Sequence, residues 1–93
     1  MEIKIEQNQS KGAAYIEENA KRIAEMTYSV AGTHLMIIDH TEIDDSHRGK
    51  GLGKNLLMAL VEKARKEEIK IIPLCPFAKS VFDKDESIQD VLK

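Results

Sequence analysis

Ten residues constrain this chain more than any others: Asp44-Asp45-Ser46-His47-Arg48-Gly49-Lys50-Gly51-Leu52-Gly53. A β-branched, apolar run (Leu35 to Ile43) enters the stretch and a helical run (Lys54 to Glu67) leaves it. Glycines at alternate positions let the backbone turn tightly and present N–H groups with no Cβ in the way. At a helix N-terminus, unpaired amides and the helix dipole together make an anion site. Arg48, Lys50 and Lys54 add positive side chains around it. The stretch therefore predicts a ligand that carries phosphate.

Spacing narrows the kind of loop. A Walker loop requires Gly-Lys followed by a hydroxyl side chain, and Gly53-Lys54-Asn55 lacks that hydroxyl. A dinucleotide fingerprint requires a third glycine where Leu56 stands. Arg48-x-x-Gly51-x-Gly53, between strand and helix, is the pattern that remains. A glycine-rich turn with a helix cap would use the same residues.

Length and charge bound the rest. The chain has 93 residues, and the expectation is one domain spanning 1–93. Hydrophobic residues make up 42%, with no Trp and only two Tyr and two Phe, so the core must be aliphatic. Mean hydropathy is −0.36, and no apolar run approaches the length of a membrane span. A start of Met1-Glu2-Ile3-Lys4 lacks the features of a signal peptide. The single cysteine, Cys75, cannot form an internal disulfide. Together these predict a cytoplasmic protein with no membrane contact. The net charge of −2 argues against nucleic acid as a partner. It is unevenly spread: residues 1–45 carry four basic and nine acidic side chains, residues 46–70 seven basic and three acidic. The positive block coincides with the glycine loop and its helix. The acidic block would suit a cationic acceptor, or simply be a solvated sheet face.

Taken in order, Glu2 to Glu6 alternates and predicts a strand with Ile3 and Ile5 inward. Asn8-Gln9-Ser10 is a turn, Lys11 to Glu17 a second strand, and Glu18-Asn19-Ala20 the next turn. From Arg22 to Val30, Ala24, Met26, Tyr28 and Val30 share one face. Ala31-Gly32 turns into a fourth and longest strand, Thr33 to Ile43. Short strands and tight turns predict an antiparallel meander. Leu56, Leu57, Leu60, Val61 and Ala64 then form a helical stripe for packing on the sheet. Ile69 to Leu74 is a fifth strand, parallel to the fourth through a right-handed crossover. Pro73 has no N–H to give a neighbour, which fits a strand that parts from the fourth or lies at an edge. Pro76 starts a short helix to Asp83, and Ile88, Val91 and Leu92 dock the tail. The fold class is mixed α+β.

Three side chains are candidates for chemistry. Cys75 falls at the C-terminal end of the fifth strand and just before a helix, where a thiol faces a ligand cleft and exposed amides stabilise a thiolate. A small buried core cysteine is the alternative. His40 and Glu42 share one face near the end of the fourth strand, and either can accept a proton. A salt bridge is the other use of Glu42. His34, His40, His47 and Cys75 lack metal-ligand spacing, so no metal is expected. Asp44-Asp45 shapes the turn into the loop.

Arg48-x-x-Gly51-x-Gly53 resembles the pyrophosphate-binding motif of the GNAT acetyltransferase superfamily. With His40-Thr41-Glu42-Ile43-Asp44 before it and Pro73-Leu74-Cys75-Pro76-Phe77 after it, the chain resembles the very small branch of that superfamily. The resemblance implies that acetyl-CoA or CoA is held by Arg48, Gly49, Lys50, Gly51, Leu52, Gly53 and Lys54, with Ile43 at the strand end. It implies an N-acetyltransferase acting on an amine of a small molecule or protein, with Cys75 near the acetyl group. It also implies parallel strands that separate into a V. Larger members carry a tyrosine after the fifth strand, where this chain has Phe77 and Phe82 and no Tyr. A CoA-binding or protein-interaction module without turnover is the second expectation.

Overall fold

Alternating runs, separated by residues that accept left-handed backbone, build the first half of the molecule. A computed structural model describes all 93 residues. Strands β1 (Lys4–Asn8), β2 (Lys11–Glu18), β3 (Lys21–Ala31) and β4 (Leu35–Ile43) pair antiparallel in sequence order. Gln9, Asn19, Ala20 and Gly32 take positive φ in the turns between them. Helix α1 (Leu52–Glu67) crosses to β5 (Lys70–Pro73), which pairs parallel to β4 and ends the sheet. Helix α2 (Pro76–Lys84) and a 3-10 turn (Glu86–Val91) close the chain.

The core lies on one face of the sheet. Leu56, Leu57, Leu60, Val61 and Ala64 of α1 are fully buried, as the stripe predicts. They pack with Ala14, Ile16, Ala24, Met26, Tyr28, Met36 and Ile38. Each large aliphatic removed from water contributes about 1.5–3 kcal/mol, so this layer holds the helix to the sheet. Ala78, Phe82, Ile88 and Val91 extend the core under the C-terminal segment. Arg65 fastens that segment through Asp90, at 3.0 and 2.8 Å, and through the Ser87 carbonyl at 2.8 Å.

Two irregularities shape one end of the sheet. Thr27 pairs with His40 while Tyr28 pairs with Ile38, so Asp39 is an extra residue bulged from β4. A bulge reverses the alternation beyond it. Met36 and Ile38 point into the core, and past Asp39 it is Thr41 and Ile43 that lie on the face shared with Met26 and Ala24. The second irregularity is the end of β5. Pairing stops at Ile38↔Pro73, and the Leu74 and Cys75 amides both donate to the Ile38 carbonyl at 3.1 Å. Residues 39–43 of β4 continue without a β5 partner, and the strands part. Leu74 faces β4 while the Ile71 carbonyl faces outward to the Lys93 amide, so Pro73 turns its missing N–H to the outer edge.

Several details differ from the sequence expectations. β3, with 11 residues, is the longest strand, because Thr33 and His34 belong to the turn and β4 starts at Leu35. Ile3 packs against the core, but Ile5 stays 40% exposed, since edge strand β1 extends past the helix that would cover it. Helix α1 begins at Leu52 rather than Lys54, so its first turn is made from the glycine loop itself.

Candidate active site

The loop is anchored at its start and open at its end. The Asp44 amide donates to the Ile23 carbonyl at 2.7 Å, and a short 3-10 turn (Asp45–His47) comes next. Gly49 and Gly51 then take φ of +80° and +74°, where any other residue is strained. A Cβ at either would meet nothing within 4 Å, so conformation rather than crowding reserves both positions. Gly51 is the N-cap of α1 and has no side chain to cap with, and the first turn holds no acidic residue. The amides of Leu52, Gly53 and Lys54 are the orphan donors every helix start possesses. Here they face a concavity, with the positive end of the helix dipole behind them.

That concavity is a cleft of about 750 Å³ between the unpaired end of β4 and helix α2. Thr41, Glu42 and Ile43 form its β4 wall; His47, Arg48, Gly49 and Gly51 to Lys54 form its base; Phe77 and Val81 of α2 form the opposite wall. Ile43, Leu52, Phe77 and Val81 make part of the lining apolar, while loop amides and Lys54 make one end strongly electropositive. A donor set of main-chain amides at a helix N-terminus fits a pyrophosphate. The unpaired β4 backbone and apolar wall fit the amide-bearing arm that adjoins the pyrophosphate in coenzyme A.

The predicted residues divide by position. Ile43, Arg48, Gly49, Gly51, Leu52, Gly53 and Lys54 line the cleft together, whereas Lys50 is exposed and does not line it. The Arg48 guanidinium is held by Asp45 at 2.7 Å, in an ion pair exposed to water. Glu42 lines the cleft and makes no ion pair, so the salt-bridge alternative fails. His40 is exposed opposite Thr27 and does not line the cleft. Cys75 does occupy the end of β5 and the N-cap of α2, but it is 5% exposed and lies behind Thr41. The Thr41 hydroxyl and the Cys75 sulfur are 3.2 Å apart. It is the hydroxyl, not the thiol, that lines the cleft. Thr41, His47 and Val81 had no signal in the sequence beyond their nearness to the motif.

A mixed sheet whose parallel strands part beside a glycine loop and helix N-terminus defines a GNAT-type acyltransferase fold. The chain belongs to the GCN5-related N-acetyltransferase family, whose family model matches residues 13–91. It is similar to a GCN5-like protein from Staphylococcus aureus, solved by NMR, at 41% identity and a TM-score of 0.72; the match covers 97% of this chain and 87% of that one. A ribosomal-protein-alanine N-acetyltransferase from Brucella melitensis biovar Abortus 2308 shares the fold at 20% identity and a TM-score of 0.68, over 83% of this chain and 62% of that chain. An aminoglycoside 6′-N-acetyltransferase complexed with coenzyme A shares it at 13% identity and a TM-score of 0.61, over 71% of this chain and 38% of that chain. This chain therefore spans less than two thirds of the length of both larger enzymes. No curated protein matches it. No helix is long and apolar enough to cross a membrane.

Proposed function

We propose that residues 1–93 act as a minimal domain that binds acetyl-CoA in the β4–β5 cleft and transfers its acetyl group to an amine. The carrying observation is the uncapped start of α1, with Gly49 and Gly51 in left-handed backbone, opening into the cleft where β4 and β5 part. Acetyl-CoA, when bound, supplies a thioester carbonyl that a neutral amine attacks. In this reading the amides of Gly51 to Lys54 hold the pyrophosphate and the Lys54 ammonium adds charge. The free backbone of residues 39–43 pairs with the amides of the arm, and Phe77 and Val81 cover it.

Glu42 is the base of this reading, because it lines the cleft without a cation to neutralise it. It would take the proton that the acceptor ammonium must lose before attack. The burial of Cys75 supports direct transfer over a route through an acetylated thiol, with the thiol steadying Thr41 from behind. His40 shares a face with Glu42 but does not line the cleft, and this reading gives it no step.

Calorimetry with acetyl-CoA, CoA and ATP tests the cofactor. The expected result is binding of both coenzymes and none of ATP. Binding without turnover on any amine would leave a CoA-binding module, and binding of neither coenzyme would refute the reading.

A further inference from the structure

Between the glycine loop and the β2–β3 hairpin runs a chain of side chains that the proposed chemistry leaves unused. The His47 side chain is only 12% exposed, and both ring nitrogens are engaged. Nε2 lies 3.2 Å from Glu18 Oε1, and Nδ1 lies 2.9 Å from Ser46 Oγ. Ser46 Oγ in turn donates to Asp44 Oδ2. These roles fix the proton count. A carboxylate only accepts, so the Ser46 hydroxyl proton is committed to Asp44, and Nδ1 must donate to Ser46. Glu18 also only accepts, so Nε2 must donate as well. A ring that donates from both nitrogens is an imidazolium.

Every charge near the ring fits that state. Glu18 faces it from β2, and Asp44 Oδ2 stands 3.6 Å from Nδ1. Lys21 of β3 is turned to Asp44 Oδ1 at 3.5 Å, and the adjoining Arg48 is paired with Asp45. The hairpin that supplies Glu18 and Lys21 is itself strained, with Asn19 and Ala20 at φ of +54° and +64°. A left-handed alanine persists where its surroundings over-determine it. Here the residues on either side of the turn, Glu18 and Lys21, both grip the loop.

From this geometry we infer that His47 is a positioning residue: an imidazolium strapped between Glu18 and Ser46–Asp44, it holds Arg48 to Gly51 against the hairpin and so aims the phosphate-binding amides. The inference rests on the proposed binding of the cofactor. Its consequence is that breaking the contact between His47 and Glu18 releases one end of the strap, and acetyl-CoA affinity falls.

The test titrates acetyl-CoA into wild type, Glu18→Gln, His47→Gln and the double variant under one set of conditions. Each single substitution should lower affinity about five- to tenfold. The double variant should bind no more weakly than His47→Gln, because both substitutions break the same contact. Unchanged affinity in either single variant, or additive losses of affinity in the double variant, would overturn the strap. Failure of wild type to bind would refute the cofactor reading instead. The strap would then be judged by amide exchange in ligand-free protein: faster exchange at Asp44 and His47 in Glu18→Gln supports it, and unchanged exchange overturns it.

Discussion

The ring of Phe77 rests on Gly53, where a β-carbon would stand 2.9 Å from both Cε2 and Cζ. Gly53 is thus a packing glycine, distinct from Gly49 and Gly51, whose backbone conformation demands them. It joins α2 to the first turn of α1 across the base of the cleft.

In Gly53→Ala two effects oppose. The helix gains about 1 kcal/mol from the better helix former, and displacing the ring costs a comparable amount at most, because Phe77 is 40% exposed and can swing outward. Unfolding should therefore be nearly unchanged while acetyl-CoA affinity falls. Gly53→Ala combined with Phe77→Ala should be more stable than Phe77→Ala alone in denaturant titrations.

At Gly12 the balance runs the other way. A Cβ there would lie 2.3 Å from Tyr28 Cζ, 2.5 Å from its hydroxyl and 2.8 Å from the Glu6 carbonyl oxygen. Tyr28 is 1% exposed and bonded to Gln7 at 2.9 Å, so it has nowhere to go. Gly12→Ala should destabilise by about 3 kcal/mol, read from the shift in the urea midpoint.

Gly51→Glu should fold and fail to bind acetyl-CoA. The new side chain finds open space, but it puts negative charge at the helix start and a non-glycine residue at φ +74°. Calorimetry decides, and tight binding by this variant would reassign the loop.

Glu42→Gln should leave acetyl-CoA affinity intact and lower kcat about a hundredfold, the share expected of a general base. Cys75→Ala should also retain binding and reduce transfer by less than Glu42→Gln does. Intact-mass spectra should show no acetyl adduct on wild type after incubation with acetyl-CoA alone.

Acid stability should depend on the Arg65 clamp. The hydrogen bond from Arg65, and then its charge, hold the Asp90 carboxyl below its ordinary range; Ser46 does the same for Asp44, and Ser87 for Asp85. A carboxyl lowered in the folded state favours folding above its unfolded pKa of about 3.9, and that contribution is lost as pH falls through the lower folded value. Thermal midpoints should therefore drop below about pH 4, and Asp90→Asn should flatten part of that fall.

The α1 stripe and the Pro76 helix start were legible because each rests on a local rule: a 3.6-residue period and a missing N–H. The order of strands came from turn residues and the crossover. What was hidden depends on one unpaired residue. Nothing marks Asp39 as a bulge, yet its insertion decides that Thr41 turns inward and covers Cys75. The equal parity of His40 and Glu42 was readable, but not that Glu42 alone borders the cleft. His47 was passed over as an absent metal ligand because its partner Glu18 lies 29 residues away in the chain.

The bulge at Asp39 makes the cleft sensitive to strand register as well as to composition. Pairing that residue regularly with β3 instead of bulging it, with every side chain kept, would restore strict alternation from Met36 to Ile43. Thr41 and Ile43 would turn outward, and His40 and Glu42 would turn toward the buried face. A one-residue slip of register would thus exchange the hydroxyl and apolar wall for an imidazole and a carboxylate, a change of chemistry that four simultaneous substitutions would otherwise be needed to make.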